Sequence, residues 1–178
     1  MAVLSGASQA SEQNRSVPEV KPHPLAEVEQ SVRKDYTRVL HSDPAEIERL
    51  LADPNVVLLD VREPGEFAIS HLPGATRVDP NIWTSSFVNA FGQKAAGKTF
   101  VLYCAVGVRS SRLAQRVQDS LKAAGARDVV NMSGGIFRWH NEQRTLIQNG
   151  QRTDIVHKYD DYWGRLIDRQ DKAVNVAR

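Results

Sequence analysis

Short continuous apolar runs alternate along the chain with segments in which apolar positions recur every three or four residues. Val56-Val57-Leu58-Leu59 and Thr99 to Tyr103 are runs of the first kind, as expected of strands buried on both faces. Asp128 to Asn131 suits a further strand, and brief strands are expected at Tyr36 to Leu40 and around Arg77-Val78. Ile47, Leu50 and Leu51 give an apolar face to a segment opened by Ser42-Asp43-Pro44, where proline sits early in a first helical turn. Leu113, Val117, Leu121 and Ala124 form the stripe of a long helix from about Arg109 to Ala124, and Gly125 suits the position just beyond it. Shorter helices are expected at Pro64 to Ser70, at Asn81 to Phe91, and from Gly134-Gly135 through Trp139. Strands alternating with helices predict an α/β fold, a mostly parallel sheet with helices on both faces.

The pattern weakens at both ends. Residues 1–34 hold few large apolar side chains and cluster Pro18, Pro22 and Pro24, so a mobile N-terminal arm is expected there. Beyond the domain at 35–147, the C-terminal extension at 148–178 carries Ile155, Tyr159, Tyr162, Trp163, Leu166 and Ile167 at helical spacing. A short helix packing back on the domain is expected. A homodimer contact or a partner-docking segment is the alternative.

Composition narrows the class. With 178 residues, 41% hydrophobic and 25% charged, the chain is ordinary for one globular domain with polar ends. The longest apolar run, Phe100 to Val106, is too short to cross a membrane. Met1 to Ala10 lack the basic start and apolar middle of a secretory signal, which makes a cytoplasmic setting the expectation. A net charge of +2, without a basic cluster interleaved by aromatics, gives no reason to expect nucleic acid.

The single cysteine, Cys104, excludes an intramolecular disulfide and any multi-cysteine zinc site. The histidines at 23, 41, 71, 140 and 157 show no metal-ligand spacing, so no metal is expected. Cys104 stands where a buried strand stops. The small residues Ala105, Val106, Gly107 and Val108 then lead into the long helix at Arg109 and Ser110. Ligands of open α/β sheets bind beyond the carboxyl ends of the strands. A tight loop before a helix can aim backbone N–H groups at an anion, here a thiolate, and Gly107 permits the positive φ such a turn requires. Against this stands the commoner role of a lone cysteine as a small core residue.

Arg109, Arg112 and Arg116 share one face near the start of that helix, where each cation costs about 0.3–1 kcal/mol. An anionic ligand would offset that cost at Arg109, which is assigned to the site; Arg112 and Arg116 fit a solvated face. Asp60 and Arg62 end a strand. A carboxylate there could act as a general base, but hydrogen bonding to loops is the commoner use, so both are placed in a supporting role. His71 reads as a turn histidine and Trp139 as core.

Three separated blocks resemble the single-domain rhodaneses, the rhodanese-like sulfurtransferases. They are Leu59-Asp60-Val61-Arg62 with Glu66-Phe67 and His71-Leu72-Pro73-Gly74-Ala75; Tyr103-Cys104 through Arg109-Ser110; and Gly134-Gly135-Ile136-Phe137-Arg138-Trp139. Together they cover about residues 37–147, with Ser70 departing from the glycine usual before the histidine. The resemblance implies a five-stranded parallel sheet. It also implies that Cys104 takes a sulfane sulfur from a donor such as thiosulfate, holds it as a persulfide cradled by the Ala105 to Arg109 loop, and passes it to a thiol or cyanide. No cofactor is implied. With no second cysteine in the chain, the acceptor is expected to come from outside: an external thiol, on a small molecule or a protein, or cyanide.

Two other readings share the architecture. A phosphatase or arsenate reductase would bind a tetrahedral oxyanion, and phosphatase loops set five residues between cysteine and arginine; here only four intervene, which suits a sulfur atom better. A non-catalytic interaction module is the other, since fold does not fix function.

Overall fold

The computed structural model describes residues 22–176. Five strands, β1 (Leu40–Ser42), β2 (Val56–Asp60), β3 (Thr76–Arg77), β4 (Thr99–Tyr103) and β5 (Asp128–Met132), form one parallel sheet in the order β1-β5-β4-β2-β3. The central strand β4 is buried at every position, flanked by β2 in the register Leu59 to Leu102 and by β5 in the register Val101 to Val130. Alternate residues of these strands feed two separate cores. Leu59, Phe100, Leu102 and Val129 meet Leu113, Val117 and Leu121 of helix α5 (Val108–Ala123) on one face. Leu58, Val101, Tyr103 and Val130 meet Ile47 of α2 (Pro44–Leu50) and Ile136 and Phe137 of α6 (Gly135–Asn141) on the other. Burial on both faces is why the strands read as unbroken apolar runs, each large side chain contributing about 1.5–3 kcal/mol.

Helices α3 (Pro64–Ile69) and α4 (Thr84–Phe91) follow β2 and β3. The start of α4 lies later than the Asn81 expected, because Asp79 holds a turn there: its side chain accepts from the Asn81 N–H at 2.7 Å and its carbonyl from the Ile82 N–H at 3.1 Å. Strand β1 likewise starts at Leu40 rather than spanning Tyr36 to Leu40, the preceding residues forming a turn after the first helix.

The mobile arm expected over residues 1–34 is corrected at its C-terminal end; residues 1–21 lie outside the described residues. Pro24–Asp35 forms helix α1, with Leu25 and Val32 buried and Leu25 in the core beneath α6. Glu29 pairs with Arg138 at 3.0 Å and Arg33 donates to the Ser133 hydroxyl at 2.7 Å. Leu25, Val28 and Val32 give this polar segment just enough of an apolar stripe to dock.

The C-terminal extension packs back on the domain, but little of it is helical. Strands β6 (Leu146–Gln148) and β7 (Gln151–Thr153) form a hairpin, and β8 (Val156–His157) pairs in parallel with β9 (Ala173–Val174). Only Asp161–Gly164, α7, is α-helical, opened by the Asp160 side chain accepting from the Trp163 N–H at 2.8 Å. Val156, Leu166 and Ile167 are buried, whereas Tyr159 and Tyr162 stay exposed. No helix among the described residues is long and apolar enough to cross a membrane.

Candidate active site

The chain leaves β4 at Tyr103 and turns at once. The backbone carbonyls of Cys104 and Ala105 accept from the Ile136 and Phe137 N–H groups at 2.9 and 3.0 Å, the first turn of α6. This close approach requires Gly135: at φ +55° a Cβ there would stand 2.4 Å from the Cys104 carbonyl oxygen. With its carbonyls anchored backwards, the loop reverses at Gly107, φ +101°, whose N–H donates to Cys104 Sγ at 3.2 Å. Helix α5 starts at the next residue, so the sulfur lies at the helix N-terminus with the Gly107 amide pointed at it.

Cys104 is 1% exposed and reaches the outside through a cavity of about 170 Å³. Ala105, Val106, Val108, Arg109, Tyr159 and Trp163 complete its lining. Of the loop residues assigned to substrate from the sequence, Gly107 contributes its amide rather than a wall. Ser110 is turned away: its hydroxyl is fully buried and donates to Asn131 Oδ1 on β5 at 2.6 Å, fixing the first turn of α5 to the sheet.

Arg109 lines the cavity, but its guanidinium is already engaged. Nη1 and Nη2 donate to the two carboxylate oxygens of Glu66 at 2.7 and 2.8 Å, and the cation lies over the Tyr159 ring, 4.9 Å from its centroid. Burial pushes the Glu66 carboxyl up, but the Arg109 hydrogen bonds and charge outweigh it and hold the group below its ordinary value. Burial likewise opposes the charge on Arg109, and Glu66 together with the facing Cys104 sulfur secures it. The anion that offsets the cation at the helix start is therefore the protein's own carboxylate.

Asp60 and Arg62 lie away from the cavity, in a fully buried network. Asp60 receives Arg62 Nε at 2.8 Å, Arg62 Nη2 at 2.6 Å and the Tyr103 hydroxyl at 2.6 Å. Arg62 also donates to the Ser70 carbonyl at 2.7 Å, and the Tyr103 oxygen accepts from the Leu72 N–H at 3.1 Å. Burial and the Asp60 charge push the Tyr103 phenol well up, so it stays a donor. The network joins the ends of β2 and β4 to the turn at 70–72, and thereby sets the residue before Cys104. His71 is held by its turn, Nδ1 bonded to the Phe67 carbonyl at 2.9 Å and the ring stacked on Phe67. Trp139 is core, its indole N–H donating to the Thr145 carbonyl. Arg112 is exposed, and Arg116 donates to the carbonyls of Pro80 and Ile82. Among the described residues no His, Cys, Asp and Glu side chains group as metal ligands.

The profile of the rhodanese-like domain matches residues 43–142, more than half of the chain. The chain belongs to the rhodanese-like domain family. This rhodanese-like domain is 34% identical over 89 residues to the probable adenylyltransferase/sulfurtransferase MoeZ of Mycobacterium tuberculosis, covering 50% of this chain and 21% of that protein. It is 31% identical over 105 residues to the tRNA uridine(34) hydroxylase of Listeria welshimeri, covering 58% of this chain and 32% of that protein. The chain thus spans only a fifth to a third of these relatives. Among solved structures, a thiosulfate sulfurtransferase from Pseudomonas aeruginosa shares the fold at 21% identity and a TM-score of 0.53, over 72% of this chain and 23% of that one.

Three residues of the rhodanese-like site escaped the sequence reading. Glu66 and Tyr159 lie 43 and 50 positions from Arg109 and meet it only in the fold. Trp163 sits in the extension, beyond the matched residues. Two signals bore on Glu66: Arg109 at the start of α5, which called for an anion, and the place of Glu66 in the first of the three blocks.

Proposed function

We propose that this rhodanese-like domain is a sulfurtransferase that carries sulfane sulfur on Cys104. The observation that supports it most is the placing of Cys104 Sγ: at the carboxyl end of the central strand, lining a cavity, with the Gly107 N–H donating to it. In the first half-reaction the Cys104 thiolate attacks the sulfane sulfur of a donor. With thiosulfate the S–S bond breaks, sulfite leaves with its electron pair, and Cys104 becomes a persulfide. In the second, a thiolate or cyanide attacks the outer sulfur and takes it as a persulfide or thiocyanate, returning the Cys104 thiolate. No proton need move in either displacement, which fits a wall whose one charged side chain among the described residues is Arg109. The Gly107 amide and the start of α5 steady the negative sulfur throughout. The acceptor comes from outside, since the chain has one cysteine.

The test is thiocyanate formation from a sulfane donor and cyanide. Wild type should turn over and Cys104→Ser should not, because a serine hydroxyl is far harder to ionise than a thiol. Equal turnover by both proteins would overturn the reading.

A further inference from the structure

The walls of the cavity say what kind of sulfur compound it takes. Tyr159 and Trp163 lie outside the part of the chain shared with the family profile, residues 43–142, yet both line the cavity with Cys104. They are held there firmly. Leu166 and Ile167 sink into the core immediately after α7, and β8 pairs with β9 immediately before it. Tyr159 adopts φ +68°, a left-handed conformation uncommon for a residue with a side chain. Its N–H donates to His157 Nδ1 at 2.9 Å, and its ring closes over Arg109.

Two consequences follow for a substrate. Arg109 is the one charged side chain lining the cavity among the described residues, and Glu66 already takes both of its terminal nitrogens. An inorganic dianion such as thiosulfate meets a guanidinium already paired with Glu66, so the side chains of the wall offer its sulfonate end no free cation. The remaining surface, Val106, Val108, Tyr159 and Trp163, is apolar or aromatic. A volume of about 170 Å³ matches a single ring or short alkyl group, since an apolar cavity of about 150 Å³ takes up benzene.

We propose that Tyr159 and Trp163 make this site selective for organic sulfane donors, whose sulfur is carried by an aryl or short alkyl group, over inorganic thiosulfate. This rests on the sulfurtransferase reading and specifies its substrate class. With an aryl thiosulfonate, the Cys104 thiolate attacks the sulfane sulfur, the bond between the two sulfurs breaks, and an arylsulfinate leaves with the electron pair. The arene lies between Trp163 and the Val106 and Val108 side chains.

The experiment compares kcat/KM for benzenethiosulfonate and thiosulfate with cyanide as the common acceptor. Wild type should favour benzenethiosulfonate by about tenfold or more, the usual worth of a well-filled apolar subsite. Trp163→Ala should collapse that ratio about tenfold, mainly by raising KM for benzenethiosulfonate. Tyr159→Ala, at a more exposed position, provides a second variant that does not depend on Trp163 packing; it should lower the ratio in the same direction, with an unchanged circular dichroism spectrum. A preference for thiosulfate in wild type, or ratios unmoved in both folded variants, overturns the proposal. Loading of Cys104 from inorganic polysulfide, followed by mass, separates the two levels: loading without donor selectivity defeats this inference alone, and no loading from any donor defeats the sulfurtransferase reading beneath it.

Discussion

Arg109 shows how a single side chain can serve two ends. From the sequence it is a cation awaiting an anionic ligand; in the structure Glu66 holds it from α3, across 43 positions of sequence, while its flank faces Cys104. Stability and activity should therefore fall together in Arg109→Ala. Glu66, 3% exposed, would keep only the Glu63 N–H at 3.1 Å as a hydrogen-bond donor and lose its bidentate cation, so a loss of about 2–3 kcal/mol is expected in urea unfolding. Glu66→Gln should cost a similar amount, and the double variant less than the sum, because each single change strands the other group. Full stability in Arg109→Ala with only turnover reduced would mean that the guanidinium serves the substrate and not the loop. Cys104 and its loop were legible because the apolar run of β4, the glycine at 107 and the stripe of α5 are all local. Glu66 was not, since no local pattern says which carboxylate the fold brings to a distant arginine.

Elements differ in the same way. β2, β4 and α5 are visible in the sequence because their burial is expressed as an unbroken run or a regular stripe. Helix α1 hides in a proline-rich polar segment, since a docked helix needs only Leu25, Val28 and Val32. The C-terminal extension misleads in the opposite direction: its aromatic spacing mimics a helix, but β8 pairing and the left-handed Tyr159 break it, and Leu166 and Ile167 are buried side by side without helical repeat. The contact between α6 and the cysteine loop is the element-level feature on which the site depends. Gly135→Ala would drive a methyl group against the Cys104 and Ala105 carbonyls at a left-handed φ. A loss of about 3 kcal/mol in thermal or chemical unfolding is expected, with sulfur transfer failing even in protein that remains folded. Wild-type activity in that variant would show that the loop does not need its anchor on α6.

For the whole molecule, the buried titratable groups set the response to acid. His41, His140 and His157 are each held below the ordinary histidine value of 6.5, with burial the main cause. As pH falls below about 6.5 the unfolded chain binds more protons than the folded one, so stability declines from that point. Glu66 adds a second step. Its carboxyl titrates below the ordinary 4.5, so its contribution is complete above that value and is lost as pH falls through the lower folded one. Melting temperature followed from neutral to acid pH should show both declines, and His157→Gln should soften the first. Constant stability down to the carboxylate range would contradict the histidine assignment.

The central claim, a sulfur carried on Cys104, is tested most directly by peptide mass spectrometry of the purified protein after incubation with a sulfane donor. The peptide containing Cys104 should gain the mass of one sulfur, lose it on addition of a thiol or cyanide, and show no gain in Cys104→Ser. No gain from any sulfane donor would contradict the account, most plainly if the same protein hydrolysed a phosphate ester briskly.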